Sequence, residues 1–145
     1  MVIVEVKKDL FEELGKGYVV HCISGDYSLG AGIASRIDDE MDMRFSLFKN
    51  YPIPVGESYA NVGKALLVDN VFNLVTKPLF KHKVRYETLW ATLSDLQYQC
   101  EQLGIKKISM PKIGCGMDKL DWAEVRALIE EVFEDTDIEI EVCIL

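Results

Sequence analysis

The sequence predicts a three-layer α/β/α domain with a mixed central sheet of about six strands. Two observations lead to this fold class. Short apolar runs typical of buried strands alternate with longer segments whose apolar residues recur every three or four positions. This alternation predicts parallel strands with helices on both faces of the sheet. Two of the runs are separated by only two residues, so one strand pair is predicted to be antiparallel.

Six segments are predicted to form strands. The second is a compact apolar run between a glycine and a Ser-Gly pair, as expected for a buried strand. The third and fourth flank Asp69 and Asn70, which tolerate the left-handed conformation and therefore predict a β-hairpin. The six segments are 2–6, 18–23, 65–68, 71–75, 107–110 and 138–144.

Three helices are predicted from the spacing of apolar residues. The first covers about 33–41, and the longest covers 86–103, where Gly104 ends it. The last covers 122–133 and begins after Asp121, a residue suited to capping it. These apolar faces are expected to pack on the sheet.

The remaining connections include one irregular stretch and two glycine-rich loops. The stretch 44–63 contains two prolines and two glycines, so it is predicted to wrap irregularly over the surface. The glycine-rich loops, 24–32 and 111–120, each follow a predicted strand and precede a helix. Ligands of open α/β sheets bind beyond the carboxyl ends of the strands, and the two loops therefore predict one shared cleft.

Length and composition favour one domain over 1–145. The chain has 145 residues, of which 49% are hydrophobic, enough to bury about 70% of the unfolded surface. No apolar run approaches the ~20 residues that cross a bilayer, and the N-terminus lacks the features of a signal peptide. We therefore expect a soluble, cytoplasmic protein that makes no contact with a membrane.

The loop around Gly114 and Gly116 carries the strongest chemical signal. Both glycines allow positive φ, so the backbone can approach a ligand and point its N–H groups at an anion. The helix that follows adds the positive end of its dipole. The P-loop pattern is absent, and these glycines alone do not identify a nucleotide.

Four segments carry a resemblance to a known family. Taken together they resemble the macrodomain superfamily, and most of all its terminal ADP-ribose protein glycohydrolase branch. The likeness runs from Val6 to Leu145, so it implies a macrodomain fold for nearly the whole chain. The segments are His21-Cys22-Ile23-Ser24, Gly30-Ala31-Gly32-Ile33-Ala34, Thr76-Lys77 and Met-Pro-Lys-Ile-Gly-Cys-Gly-Met-Asp at 110–118.

The resemblance implies that ADP-ribose is the ligand. Asp9, with Leu10 beside it, matches the position that binds the adenine amine, although the usual Gly-Asp motif reads Lys8-Asp9 here. From the residues alone, capping of the turn 9–11 is the favoured role of Asp9. The implied ribose contacts are Ser24, Gly30, Ala31 and Gly32. The implied phosphate or ribose contacts are Ile113, Gly114, Cys115, Gly116 and Met117.

Lys77 and Asp118 match the catalytic pair of that branch. A lysine at a strand end is usually solvated, but a desolvated one loses its proton more easily and can attack the anomeric carbon of ADP-ribose. Asp118 would assist as general base, because Asp121 is better placed to cap the helix. No metal or redox cofactor is required by this chemistry.

The cysteines and histidines favour structural interpretations. The four cysteines show no metal-site or disulfide spacing. Cys115 is a weak candidate nucleophile. The favoured interpretation is a small residue that is tolerated in a tight loop. His21 is predicted to be a hydrogen-bonded core residue, and His82 to lie on an exposed loop.

The formal net charge of −8 argues against a broad nucleic-acid surface. Lys81, Lys83 and Arg85 form a basic cluster in this acidic chain. The cluster is either part of a solvated loop or a local contact for a phosphate group. Most of the acidic residues near the C-terminus are predicted to lie on a solvated helix face and exposed strand positions.

The resemblance implies a hydrolase that removes terminal ADP-ribose from oxygen-linked acceptors. Protein Glu or Asp esters and O-acyl-ADP-ribose are the expected substrates, so the partners are ADP-ribose and an ADP-ribosylated protein or small molecule. Two alternatives stay open. One is a non-catalytic ADP-ribose reader, against which the presence of both Lys77 and Asp118 argues. The other is a hydrolase that acts on ADP-ribosylated nucleic acid.

Overall fold

A computed structural model describes residues 1–145 and contains six strands, four α-helices and one short 3₁₀ helix. All six strands lie in one sheet with the order β1-β6-β5-β2-β4-β3. The elements in chain order are β1 (Val2–Lys7), the 3₁₀ helix (Leu10–Glu12), β2 (Tyr18–Ser24), α1 (Gly32–Met41), α2 (Met43–Asn50), β3 (Ala65–Val68), β4 (Val71–Lys77), α3 (Tyr86–Leu103), β5 (Lys107–Met110), α4 (Trp122–Phe133) and β6 (Glu139–Ile144).

The sheet is mixed, as the sequence predicts. Only the β3–β4 hairpin is antiparallel, and all other neighbouring strands run parallel. On one face, Phe72 and Leu74 of β4 pack with the apolar sides of α3 and α4 in the larger core. On the other face, Val71 and Val75 pack with α1 and α2 in a second core. The three-layer fold class is therefore confirmed.

The prediction that 44–63 is irregular is wrong for its first part, because α2 occupies Met43–Asn50. Asp42 takes the left-handed conformation, with φ of 53°, and starts a second helix directly after α1. Met43 and Leu47, four positions apart, are buried, whereas Phe45 and Phe48 are exposed on the other side. Apolar residues on both sides of the helix hide the 3.6-residue period from sequence analysis. None of the helices is long and apolar enough to cross a membrane.

Gly25 offers a test of how tightly the chain is packed where β2 ends. A Cβ atom at Gly25 would lie 1.9 Å from the carbonyl oxygen of Ser58, whereas one at Gly30 would meet nothing closer than 3.9 Å. We expect Gly25→Ala to lower the free energy of unfolding by about 1–3 kcal/mol or more, since the backbone at Ser58 must move. Urea denaturation measures this, with Gly30→Ala as the matched control. Equal stability of the two variants would contradict the packing.

Candidate active site

The site is built where β2, β4 and β5 end side by side. These three strands are parallel neighbours, so their carboxyl ends meet at one edge of the sheet. The pairing of β2 with β4 shifts at its end, because Ile23 pairs with Val75 but Ser24 pairs with Lys77. Such an irregularity re-aims the side chains next to it. It places Lys77 beside Ser24 at the base of the cleft.

Lys77 and Asp118 form an ion pair at this edge. The Lys77 Nζ atom lies 2.7 Å from Asp118 Oδ1, and only 12% and 18% of the two side chains are exposed. The Phe80 ring centroid lies 5.5 Å from the same Nζ atom. The structure therefore brings together two residues 41 positions apart that the sequence singles out, and it shields them from bulk water.

The loop after β2 forms the wall opposite this pair, and Asp26 fixes its shape. Asp26 Oδ1 accepts hydrogen bonds from the Ser24 hydroxyl at 2.5 Å and from the Ser28 N–H at 3.3 Å. Its Oδ2 accepts one from the Phe80 N–H at 3.2 Å. Asp26 thus ties the first glycine-rich loop to the segment after β4. Sequence reasoning missed this residue, although an Asp two positions before a Ser signals a local side-chain turn.

The loop 111–120 forms the second wall. Gly114 has a φ of 72° and its carbonyl accepts a hydrogen bond from the Leu120 N–H at 2.8 Å. Gly116 does not use the positive φ that glycine allows, and Lys119 takes the left-handed conformation, with φ of 56°. Ile113 is buried, so its side chain anchors the loop in the core and only its backbone can face a ligand.

Free backbone donors face each other across the middle of the cleft. The N–H groups of Gly116 and Met117 donate to no protein acceptor, whereas that of Gly114 faces the Cys22 sulfur. On the other side, Ala31 at the start of α1 makes no side-chain capping bond, so the first N–H groups of that helix are also free. Unpaired N–H groups and a helix N-terminus are the features with which proteins bind anions.

Asp9 lies at the far end of the cleft and serves as a cap. Its Oδ1 accepts the Phe11 N–H at 3.0 Å, and Glu12 Oε2 accepts the Asp9 N–H at 3.2 Å. The capping role favoured from the residues alone is therefore confirmed. Asp9 Oδ2 remains for another partner and lies 3.5 Å from Arg36 Nη1. The cap and the predicted adenine contact would therefore use different oxygens of Asp9.

Lys8, which departs from the Gly-Asp motif, supports this turn. Its Nζ atom lies 2.5 Å from Glu13 Oε1 and 3.3 Å from Glu141 Oε1. Glu141 lies in the middle of β6 and also accepts the Ser109 hydroxyl at 3.0 Å. Lys8 thus holds the turn that carries Asp9 against the sheet.

Three adjoining cavities form one continuous cleft. The first contains Asp9 and Leu10, and it shares Gly32 and Pro111 with the middle cavity. The middle cavity is lined by the loop 111–118, apart from Cys115, and shares Asp118 with the third cavity. The third contains both members of the ion pair. Its other lining residues that the sequence predicts are Ser24, Gly30, Ala31 and Met117.

Cys115 is the one predicted site residue that lines none of these three cavities. Its Sγ atom lies 3.3 Å from the Ile113 carbonyl oxygen. Burial raises the pKa of the Cys115 thiol and raises that of Cys22, which does line the cleft, to about 12. Thiols that stay protonated are poor nucleophiles, and this argues against a catalytic cysteine.

The two histidines lie where the sequence predicts. His21 is buried, with its Nε2 atom 2.6 Å from Asn73 Oδ1, while its Nδ1 atom has no protein partner. His82 is exposed, and its Nδ1 atom accepts the Leu79 N–H at 3.2 Å. Together with Lys83 and Arg85, His82 lines a shallow groove that reaches Lys77 from outside the cleft.

A mixed α/β/α sandwich with a glycine-lined cleft at the carboxyl edge of its sheet has the architecture of a small ligand-binding α/β domain. The chain belongs to the Macro domain family, whose model matches residues 20–129. This finding confirms the resemblance and the fold class.

Comparison with known proteins gives relatives in both sequence and structure. Over 144 aligned residues the chain is 39% identical to the ADP-ribose glycohydrolase OARD1 of Bos taurus, covering 94% of this chain and 88% of the relative. It is 34% identical over 64 residues to a DNA ADP-ribosyl glycohydrolase of Thermus aquaticus, covering 44% of this chain and 18% of that protein. The solved macrodomain of Thermus aquaticus DarG superposes with a TM-score of 0.82 at 22% identity and covers 99% of both chains.

His21 predicts a stability change in mild acid. Burial lowers the pKa of its imidazole from 6.5 to about 4, so the unfolded chain binds the proton more tightly. The free energy of unfolding should therefore fall by up to about 3 kcal/mol as the pH drops from 6.5 to 4, and it should be fully restored above 6.5. Urea titrations of His21→Gln should show a shallower slope in this window. The exposed His82→Gln is the control, and an unchanged slope in His21→Gln would refute the assignment.

Proposed function

We propose that this protein hydrolyses the bond between the terminal ribose of ADP-ribose and an oxygen-linked acceptor. The acceptor is a protein Glu or Asp ester, or the acyl group of O-acyl-ADP-ribose. The observation that carries the proposal is the shielded pair of Lys77 and Asp118, 2.7 Å apart, at one end of a glycine-lined cleft. The relatives named ADP-ribose glycohydrolase, similar over 94% of the chain, support it.

The shape of the cleft supports one orientation of ADP-ribose. The adenine lies at Asp9, whose Oδ2 accepts a hydrogen bond from the exocyclic amine. The diphosphate lies between the free N–H groups of the loop 113–117 and the start of α1, where dipoles supply positive charge. The terminal ribose then lies against Ser24 and Gly30, with its anomeric carbon toward Lys77.

In the covalent route Lys77 is the nucleophile. An ion-paired ammonium has no lone pair, so one proton must first leave, and Asp118 at 2.7 Å is the base placed to accept it. The free amine attacks the anomeric carbon. A C–N bond forms as the bond from that carbon to the acceptor oxygen breaks, and the acceptor leaves as a carboxylate. Asp118 then helps water to cleave the adduct, which releases ADP-ribose and restores Lys77.

In the alternative route water attacks directly. Asp118 takes the proton from the water, and Lys77 stabilises negative charge on the departing oxygen or positions the ribose. Both routes use the same two side chains and yield free ADP-ribose. They differ in whether a bond to Lys77 ever forms.

A nucleic-acid acceptor is a second candidate, favoured by the groove outside Lys77. His82, Lys83 and Arg85 line this groove, and neither Lys83 nor Arg85 forms an ion pair with a carboxylate. Lys81 and the exposed ring of Phe80 lie in the same segment. Cations next to an exposed aromatic ring suit phosphates and a stacked base. The Thermus aquaticus relative is named for action on DNA.

For either acceptor we expect action in the cytoplasm, where the four free cysteines would stay reduced.

Replacement of Lys77 separates an enzyme from a reader. Lys77→Ala should abolish release of ADP-ribose from an ADP-ribosylated glutamate peptide, while ADP-ribose affinity stays within about three-fold, because the diphosphate contacts remain. Lys77→Arg should be equally inactive in the covalent route, since a guanidinium does not give up its proton. Chromatographic assay of released ADP-ribose measures this, with the exposed Lys49→Ala as control. The hydrolase proposal is refuted if the wild type shows no turnover on this peptide, on O-acetyl-ADP-ribose or on ADP-ribosylated DNA.

Replacement of Asp118 separates the two routes. If Lys77 forms an adduct that Asp118 helps to resolve, Asp118→Ala should slow breakdown more than attack, because water can take the Lys77 proton once the paired carboxylate is gone. Protein carrying one ADP-ribose on Lys77 should then accumulate. Intact-protein mass spectrometry followed by peptide mapping detects it. An Asp118→Ala variant that binds ADP-ribose but is inactive and stays unmodified would favour direct attack by water.

A further inference from the structure

We propose that Arg36 forms a stacking shelf for the adenine base, so that the base lies on the guanidinium group and the guanidinium lies on Phe11. This inference rests on the proposed binding of ADP-ribose with its adenine at Asp9. It assigns a base-recognition role to a residue of α1 that sequence reasoning did not single out. Three observations carry it.

The first observation is the packing of Arg36 on Phe11. The guanidinium carbon of Arg36 lies 3.8 Å from the centre of the Phe11 ring, so one face of the planar group is covered. Half of the Arg36 side chain is exposed, and Arg36 and Phe11 both line the cavity at the Asp9 end of the cleft. A guanidinium with one face on an aromatic ring keeps its other face for a second planar partner.

The second observation is the position of Arg36 relative to Asp9. Arg36 Nη1 lies 3.5 Å from Asp9 Oδ2, the oxygen that is not used in the cap. An adenine that donates its amine to this oxygen therefore lies within stacking distance of the guanidinium. The Arg36–Asp9 contact is long and half-exposed, so it contributes little and yields readily to the adenine amine.

The third observation is that the guanidinium is held from two sides. Arg36 Nε lies 3.3 Å from Glu40 Oε1 one turn further along α1, while Phe11 supports the ring face. The plane is therefore oriented before a ligand arrives, which lowers the entropy lost on binding. The remaining walls of this cavity include the apolar residues Leu10, Ile33 and Pro111, which suit the faces of a base.

A stacking shelf differs from two other roles that a cation could have here. If Arg36 only attracts the diphosphate, any positive charge at this position should serve, and the effect should fade with salt. If Arg36 only blocks Asp9 in the free protein, its removal should strengthen binding. A shelf requires the planar group itself, so lysine cannot replace it.

Calorimetry with ADP-ribose on Arg36→Ala, Arg36→Lys and Asp39→Asn tests the shelf. We expect both Arg36 variants to weaken ADP-ribose binding by about 5- to 20-fold at low and at high salt. Both should also lose the ultraviolet hypochromism of bound adenine. Asp39 is exposed on the same helix but does not line this cavity, so Asp39→Asn is the control and should stay within about two-fold of the wild type. Because Arg36 is half-exposed and Asp39 is exposed, all three variants are expected to fold, and thermal melts check this.

Each other outcome overturns a stated idea. Wild-type affinity in Arg36→Lys would show that charge alone matters, and unchanged or tighter binding in Arg36→Ala would show that no shelf exists. If the wild type itself fails to bind ADP-ribose, the proposed function fails, and the shelf fails with it. A wild type that binds ADP-ribose alongside unaffected Arg36 variants would reject the shelf alone.

Discussion

The cleft depends on the parallel pairing of β2 with both of its neighbours. Because β4 and β5 run in the same direction on either side of β2, the chain leaves all three strands at one edge. The loops that follow must then face one another. The shift in pairing at the end of β2 sets Lys77 beside Ser24, and the loop after β5 carries Asp118 to within 2.7 Å of it. The fold thus makes neighbours of residues that are distant along the chain.

An acidic protein with a proposed diphosphate site needs its negative charges kept away from that site. Much of the negative charge lies near the end of α4 and the start of β6, whereas the start of α4 follows the loop that carries Asp118. The 12 residues of α4 separate the two places by about 18 Å, beyond the distance at which exposed charges act in physiological salt. Inside the cleft, free backbone N–H groups supply short-range positive potential without requiring a net positive charge. The net charge of −8 and a diphosphate site are therefore compatible.

Local signals in the sequence predict most of the fold but only part of the site. Strands and long helices follow from apolar patterns, because each pattern repeats within one element. Helix α2 is not predicted from the sequence, because Phe45 and Phe48 are exposed on the side opposite the buried Met43 and Leu47, and apolar residues on both sides obscure the helical period. The link that Asp26 makes to Phe80 spans 54 residues, so no local pattern contains it. The pairing of Lys77 with Asp118 was implied by the family resemblance, and composition or spacing could not have predicted it.

The ground state of the ion pair constrains the chemistry. The contact that would position Lys77 as the proposed nucleophile also pairs its charge with Asp118, so this ion pair must open before Lys77 can attack. In the covalent route that we propose, a sugar that enters the cleft displaces the remaining water from both groups, and an ion pair becomes less favourable relative to a neutral amine and carboxylic acid as the local dielectric falls. Binding of the ribose and activation of Lys77 are coupled in this route, which confines the free amine to the occupied site.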